Sequence, residues 1–299
     1  MITLLLHSQR SMICRWTTRK VLALLGATLS FLSTASADFA TEIFEATFKI
    51  FDPAVTGTCF LVRRPDPDQA IYLVTAAHML EGTKADQATI VLRERCEDGT
   101  FKRHNHSVSV RRDGKAIWVR HPKDDVGVLR LTEPFPVPFG TIPLSLIADP
   151  DQQSKFPLKI CAPLLSLTYP KGFEGNSAGF PVARQGIVAS FPLPPVSKKH
   201  SFLADITAFG GDSGGPAFIA SSTDHPTIIG IVVAQFRHDE QIKMEYEERS
   251  IHYPLGLAEV VHAKYIRETI ELAALSANPP VVAPDKDLQS KSADLPLAP

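Results

Sequence analysis

Cysteine is scarce in this 299-residue sequence, with only four, at positions 14, 59, 96 and 161. None stands in a Cys-x-x-Cys pair, which excludes the usual zinc ribbon or finger. So few cysteines also exclude a small scaffold held together by disulfides. A charge excess of either sign is missing too. The chain has 31 Lys and Arg against 32 Asp and Glu, for a formal net charge of −1. A nucleic-acid-binding chain usually shows a basic surplus, so no nucleic-acid partner is expected. Beyond Leu32 no apolar run is long enough to cross a bilayer. No metal-binding spacing or cofactor motif stands out, and neither a metal nor a cofactor is expected.

The longest apolar stretch lies near the amino terminus. Arg15, Arg19 and Lys20 precede the apolar run Val21–Leu32, and Ala35-Ser36-Ala37 follows as a small-x-small pattern. This order reads as a signal peptide over residues 1–37, cut after Ala37 to leave Asp38 first. An uncleaved anchor is the alternative, and Met12 is a second candidate start. Removal of 1–37 takes away four basic residues and no acidic ones, leaving 27 minus 32, or −5. The expected location is outside the cytoplasm, periplasmic or secreted in a bacterium, with no further membrane association. Export permits one disulfide among Cys59, Cys96 and Cys161, with the pairing open.

Short β-prone runs recur between turn signals, at 43–51, 57–63, 70–75, 87–93, 106–111, 115–119 and 126–131. A proline-rich stretch at 133–138 follows, ill suited to a central strand. A second series occupies 157–161, 164–168, 185–191, 201–206, 215–220, 227–235 and 251–256. Many short strands at this spacing predict barrels or sandwiches. The apolar period changes over Leu257–Leu272 and predicts a helix. Residues 276–299, rich in Pro, Asp, Lys and Ser, read as a disordered tail.

Three segments carry chemistry. Gly-Gly-Asp-Ser-Gly-Gly-Pro at 210–216 sets Ser213 among glycines. A serine hydroxyl needs a neighbouring base to act as a nucleophile. It also needs donors aimed at the oxyanion formed on its carbonyl target, and the backbone N–H groups of Gly211 and Ser213 are candidates. Ile-Tyr-Leu-Val-Thr-Ala-Ala-His at 71–78 reads as a buried strand with His78 at its mouth. Asp-Asp-Val-Gly-Val-Leu-Arg-Leu at 124–131 reads as a strand that begins with a carboxylate. Side chains alternate along a strand, so one of Asp124 and Asp125 can face His78. The order His, Asp, Ser is one known for serine hydrolases.

Thr-Ala-Ala-His, Asp-Val-Gly-Val-Leu and Gly-Asp-Ser-Gly-Gly-Pro together resemble the signature segments of the trypsin-like, chymotrypsin-fold serine peptidases. Gly-Thr-Cys-Phe-Leu-Val at 57–62, Tyr-Pro-Lys-Gly at 169–172, Gln-Gly-Ile-Val-Ala-Ser at 185–190 and Ile-Ile-Gly-Ile-Val-Val at 228–233 extend the likeness over roughly 40–272. The flavour is similar to bacterial exported branches, Deg-type and glutamyl-endopeptidase-like, without a PDZ domain. The resemblance implies an all-β fold of two six-stranded antiparallel barrels, about 40–135 and 141–256, joined through the proline-rich stretch. A carboxy-terminal helix at 257–272 would close a peptidase domain spanning 38–275. It implies Ser213 as nucleophile, His78 as base and Asp125 as the acid that orients it. Gly211 and Ser213 would form the oxyanion hole. The pocket base would fall at Thr207, with Ala208, Val233 and Ala234 as walls. A neutral Thr207 favours a small or medium uncharged side chain before the scissile bond. The implied substrates are proteins or peptides.

Met79 stands where many animal relatives carry a cysteine, so that bridge is absent. Asp212 has no chemical role assigned, because no Ile-Val-Gly-Gly start exists to pair with it. A catalytically idle binding protein of the same fold, or an esterase using the same three residues, are the competing readings. The remaining features read as structural. They are His104-Asn-His106 as a solvated loop, Arg93-Glu-Arg95 and Arg111-Arg112 as exposed charges, Asp66-Pro-Asp68 as a turn and Asp205 as structural. Asp239-Glu240 and 245–249 read as a solvated hairpin tip.

Overall fold

The computed structural model describes residues 35–65, 70–149, 158–193, 196, 198–219, 226–244 and 246–276. The expected signal segment before Ala35, the Asp66–Asp68 turn and the tail beyond Ser276 lie outside the described residues. The chain divides into an amino-terminal unit, residues 1–41, and a main unit, 42–299. The described part of the first unit belongs to helix α1, Ala35–Glu45. The expected cut after Ala37 falls in the first turn of that helix.

The main unit is predominantly β. Its first sheet contains β1 (Thr47–Phe51), β2 (Thr56–Arg63), β3 (Ile71–Thr75), β4 (Gln87–Arg95) and β5 (Phe101–Ser109). It also contains β8 (Val119–Arg120), β9 (Gly127–Leu131) and the short β10 (Ile142–Pro143). The order is β5-β4-β1-β2-β3-β9-β8, with β10 parallel to β2. The two ends do not pair strand to strand. A small hairpin of β6 (Arg111–Arg112) and β7 (Lys115–Ala116) lies between them in sequence. Ile117 N–H donates to Val110 O at 3.1 Å, tying the residue after β5 to the approach to β8. The proline-rich stretch forms no strand and connects the two halves.

The second half is a closed barrel, β11-β12-β13-β16-β15-β14. Its strands are β11 (Pro163–Thr168), β12 (Val182–Val188), β13 (Ser201–Asp205), β14 (Pro216–Ile219), β15 (Thr227–Met244) and β16 (Glu247–His262). β15 and β16 run past the barrel as an exposed two-stranded ribbon, pairing out to Met244 and Glu247. The sequence pattern placed only a hairpin tip there.

Three local expectations are corrected. Residues 158–161 form no strand, and Cys161 adopts a left-handed φ of 63° that ends any extended run. The final helix, α3, begins later than expected, at Ala263–Leu275. Leu257–His262 instead pair with β13 and β15, because their alternate residues Ala258 and Val260 are needed in the barrel core. His104 and His106 lie on β5 rather than in a loop, where the ladder to β4 holds them.

The core follows the strand period. In β2 every residue from Gly57 to Val62 is buried, since both faces are covered. Phe60 and Val62 join the cluster that reaches the second half, while Cys59 and Leu61 join the interior of the first. Fully burying side chains of this size stabilises the fold by about 1.5–3 kcal/mol each. Tyr265, Ile266, Thr269, Ile270 and Ala273 form the buried stripe of α3, at helical spacing. Cys59, Cys96 and Cys161 are all free thiols, so the one disulfide that export would permit does not form among them. No described helix is long and apolar enough to cross a membrane.

Candidate active site

His78 sits in the first turn of a short helix, α2 (Ala77–Gly82), one step beyond the strand mouth where the pattern placed it. Ala76 and Ala77 are fully buried beneath it. Their small side chains let β9 press close against α2. A Cβ on Gly127 would stand 3.1 Å from Ala77 Cα and from Leu80. This close approach brings the residue two places before β9 beside the imidazole. That residue is Asp125, whose Oδ2 lies 2.5 Å from His78 Nδ1. Its Oδ1 accepts the His78 backbone N–H at 2.9 Å. The carboxylate thus grips both the ring and the main chain of the same residue, which fixes the ring's orientation and leaves Nε2 available.

The electrostatics follow. Burial acts against the charged imidazole, but the hydrogen bond and charge of Asp125 prevail and raise His78 above the ordinary histidine range. Burial alone would raise Asp125; the His78 contacts hold it below the usual carboxylate range instead.

Asp124 faces away. It is buried, and takes His200 Nδ1 at 2.9 Å. His121 Nδ1 accepts the Asp124 N–H at 3.0 Å, and His121 Nε2 contacts Glu268 at 3.2 Å. This cluster binds the turn carrying Asp125 to α3. His262 lies nearby, and burial first, then the His200 charge, push its pKa down to about 4.

Ser213 lies in the loop between β13 and β14. Its hydroxyl donates to Val233 O at 3.3 Å and makes no hydrogen bond to His78 in this structure. The loop is pressed against the first sheet. Thr58 N–H donates to Ser213 O at 2.9 Å, and Thr58 Oγ1 donates to Gly211 O at 2.8 Å. Thr75, three residues before His78, donates its hydroxyl to Thr58 O at 2.7 Å. A Cβ on Gly214 would collide with that same hydroxyl. Strand β3, which leads to His78, therefore packs directly on the residue after Ser213.

Gly211 has φ +99°, in the left-handed region. A side chain there would also strike Tyr169 O. Gly210 O accepts Lys171 N–H at 2.6 Å, and Gly211 O is taken by Thr58. Among the described residues neither the Gly211 N–H nor the Ser213 N–H has an intramolecular acceptor.

A cleft of about 640 Å³ opens beside Ser213. Ala208, Val233 and Ala234 line it, together with Phe209, Gly210 and Gln235. Thr207 does not line it; the residue is exposed, and its carbonyl accepts a hydrogen bond from Arg184. Of the cleft's three carboxylates, Asp212 pairs with Arg184, Asp239 pairs with Arg237 and His252, and Glu259 accepts the Ser201 hydroxyl at 2.6 Å.

Sequence reasoning missed two residues that support the Ser213 loop. Asp212 is 1% exposed and ion-paired with Arg184 of β12. It also accepts Phe209 N–H at 2.7 Å, and Arg184 donates to Thr168 Oγ1 at 2.8 Å. A buried carboxylate beside Ser213 demands a counterion, so a lone arginine in a half-buried strand was the signal available. The other is Thr58, a polar side chain in an otherwise apolar strand. Arg93 was misread in the opposite direction. It is buried, 4.5 Å from the ring centres of both Phe48 and Phe180, and donates to Thr47 O and Glu45 O. Carbonyl acceptors and aromatic faces satisfy its charge away from water. Among the described residues no cluster of His, Cys, Asp and Glu could hold a metal ion.

The profile of the trypsin family matches residues 67–246, more than half of the chain. The chain belongs to the trypsin family of serine proteases. Among solved structures it is similar to Rv3671c from M. tuberculosis H37Rv, an inactive form with a serine-to-alanine mutation. The identity is 16%, the match covers 81% of this chain and 93% of that one, and the TM-score is 0.46. The Rv3671c protease in its inactive form gives 17% identity, 81% and 94% coverage, and a TM-score of 0.46. Comparison with curated proteins gives no match.

Proposed function

We propose that the protein is an exported serine endopeptidase that cleaves peptide bonds through an acyl-enzyme. The observation that carries this reading is the grip of Asp125 on both the ring and backbone of His78, together with the unclaimed N–H groups of Gly211 and Ser213 in the loop that carries the serine. Ser213 Oγ attacks the carbonyl carbon as its proton passes to His78 Nε2. The carbonyl oxygen becomes an oxyanion and takes hydrogen bonds from the Gly211 and Ser213 N–H groups. His78 then gives its proton to the departing amine nitrogen, the C–N bond breaks, and an ester remains on Ser213. Water, deprotonated by His78, cleaves that ester and restores the hydroxyl. Asp125 holds the imidazole tautomer and stabilises its cation throughout. Hydrogen bonds of this kind are commonly loose without substrate and tighten in the complex, so the Ser213–Val233 bond is exchanged for one to His78.

The walls formed by Ala208, Val233 and Ala234 favour a small or medium uncharged side chain before the scissile bond. Export rests on the basic, apolar and small-residue order of residues 15–37. Sequencing the amino terminus of the protein recovered outside the cytoplasm tests it, with Asp38 expected first.

The decisive experiment is labelling by diisopropyl fluorophosphate. The folded wild-type protein is expected to gain one phosphoryl adduct, mapped to Ser213, and to lose activity in step. Ser213→Ala is expected to stay unlabelled and to lose about 10⁶-fold in kcat. A folded wild type that resists the reagent overturns the reading and favours an idle binding protein. Turnover of simple esters with no cleavage in a peptide library favours an esterase.

A further inference from the structure

The oxyanion-binding backbone of the proposed active site rests on a turn that the first sheet holds by charge. The turn, Pro170–Gly172, follows β11. Lys171 has φ +54°, and its N–H donates to Gly210 O at 2.6 Å. A trans peptide is planar, with its C=O and N–H pointing in opposite directions. Holding the Gly210 carbonyl on Lys171 therefore fixes where the Gly211 N–H points. Both residues of this peptide are glycines, so little in their own conformational preferences prevents the plane from turning over. Its orientation depends on what holds Lys171.

Three contacts from the first sheet do so. Lys49 of β1 donates to Gly172 O at 2.7 Å and to Glu174 Oε1 at 3.0 Å. Arg103 of β5 pairs with Glu174 Oε2. A Cβ on Gly172 would stand 3.2 Å from Thr56 of β2, so the turn already lies flat on the sheet. Lys49 and Glu174 are mostly buried, with side chains 16% and 15% exposed. Burial alone would raise the Glu174 carboxyl, but the hydrogen bonds from Arg103 and Lys49 prevail and hold it below the usual glutamate range. Nothing in the catalytic scheme uses these side chains, and their link runs from one half of the molecule to the other.

We propose that Glu174, clamped between Lys49 and Arg103, is a positioning residue that keeps the Gly211 N–H aimed at the developing oxyanion. The proposal rests on the assignment of Ser213 and Gly211 above. It identifies the clamp as a condition for turnover rather than for substrate capture. When Glu174 loses its charge, Lys49 and Arg103 repel each other, the turn shifts, and the Gly210–Gly211 peptide is free to rotate away from the site.

The test compares wild type, Glu174→Gln, Lys49→Met and Lys49→Arg. The readouts are the rate of diisopropyl fluorophosphate labelling of Ser213, kcat and KM for p-nitrophenyl acetate, and thermal melting. A full oxyanion donor is worth about 10²–10³ in kcat, so a mis-aimed one is expected to cost about tenfold or more. Glu174→Gln and Lys49→Met should each slow labelling and lower kcat by that factor, with KM within about twofold. Lys49→Arg, which keeps the charge, should recover most of the loss. Because the clamp is approached from both partners, a folding failure in one variant leaves the other to decide. Equal labelling rates in wild type and both clamp-breaking variants overturn the proposal. So does a loss confined to KM, or one that matches the unfolded fraction seen on melting. A wild type that is itself unlabelled overturns the Ser213 assignment, a distinct result from a labelled wild type with unaffected variants.

Discussion

The two halves of the molecule hold their parts of the site by different means. His78 and Asp125 both belong to the first half, on neighbouring elements, and the contact that joins them stays within it. Ser213 belongs to the second, yet its loop is tied as much to the first half as to its own barrel. Thr58 and the Lys49–Glu174–Arg103 group reach it from the first sheet, while Arg184 reaches it from β12. The second half closes its barrel. The first is a ladder whose end strands are bridged by the β6–β7 region. The proposed base and acid are thus a local device, whereas the proposed nucleophile is held by several elements at once. Substitutions in the first half should therefore disturb the nucleophile more than substitutions in the second disturb the base.

Asp125→Asn breaks the local device and carries the largest expected effect of this group, a fall of about 10⁴ in kcat. The pH profile sharpens the point. Asp125 favours the imidazolium and raises His78 above its ordinary value of 6.5. The base works neutral, so kcat/KM should rise as pH passes through that raised value. In Asp125→Asn the midpoint should move to lower pH. An unchanged midpoint would show that the carboxylate does not govern the base.

Arg184→Gln tests the tie within the second half. It leaves Asp212 buried without its counterion, and breaking such a pair costs about 3–5 kcal/mol. Urea denaturation should show a loss of that size, with labelling of Ser213 slowed in the fraction that remains folded. A loss under about 1 kcal/mol, as at an exposed pair, would contradict it.

Thr58→Val should have the smallest effect and is the cleanest test across the halves. It keeps the shape of a fully buried side chain while removing the partner of Gly211 O and Tyr169 N–H. An unsatisfied buried group costs about 1–3 kcal/mol. Denaturation should report that loss, and the activity should fall although Thr58 touches no substrate. Unchanged stability would mean that the nucleophile loop does not depend on the first sheet at this point.

Much of this molecule was legible in the residues. Strand periods marked most of the sheet, and the three short motifs pointed to His78, Asp125 and Ser213. The failures have physical causes. Leu257–His262 has an apolar spacing compatible with a helix, but only a strand there completes the barrel. Thr207 sits at the expected distance along the chain, yet the loop turns it outward to serve Arg184 through its carbonyl. Arg93 looks like a surface charge until Phe48, Phe180 and several carbonyls surround it. In each case a partner distant in sequence outweighed the local pattern.

The sequence by itself determined the β-rich class, the candidates for the reactive side chains and the glycines that allow a backbone to present two free N–H groups. Those follow from side-chain chemistry and from φ, which are properties of single residues and short runs. Only the tertiary structure decided how Asp125 grips both the ring and the backbone of His78, what neutralises Asp212, and what holds the Gly210–Gly211 peptide in place. Those depend on which distant groups share a site where burial excludes water, so each charge or donor must find its partner there.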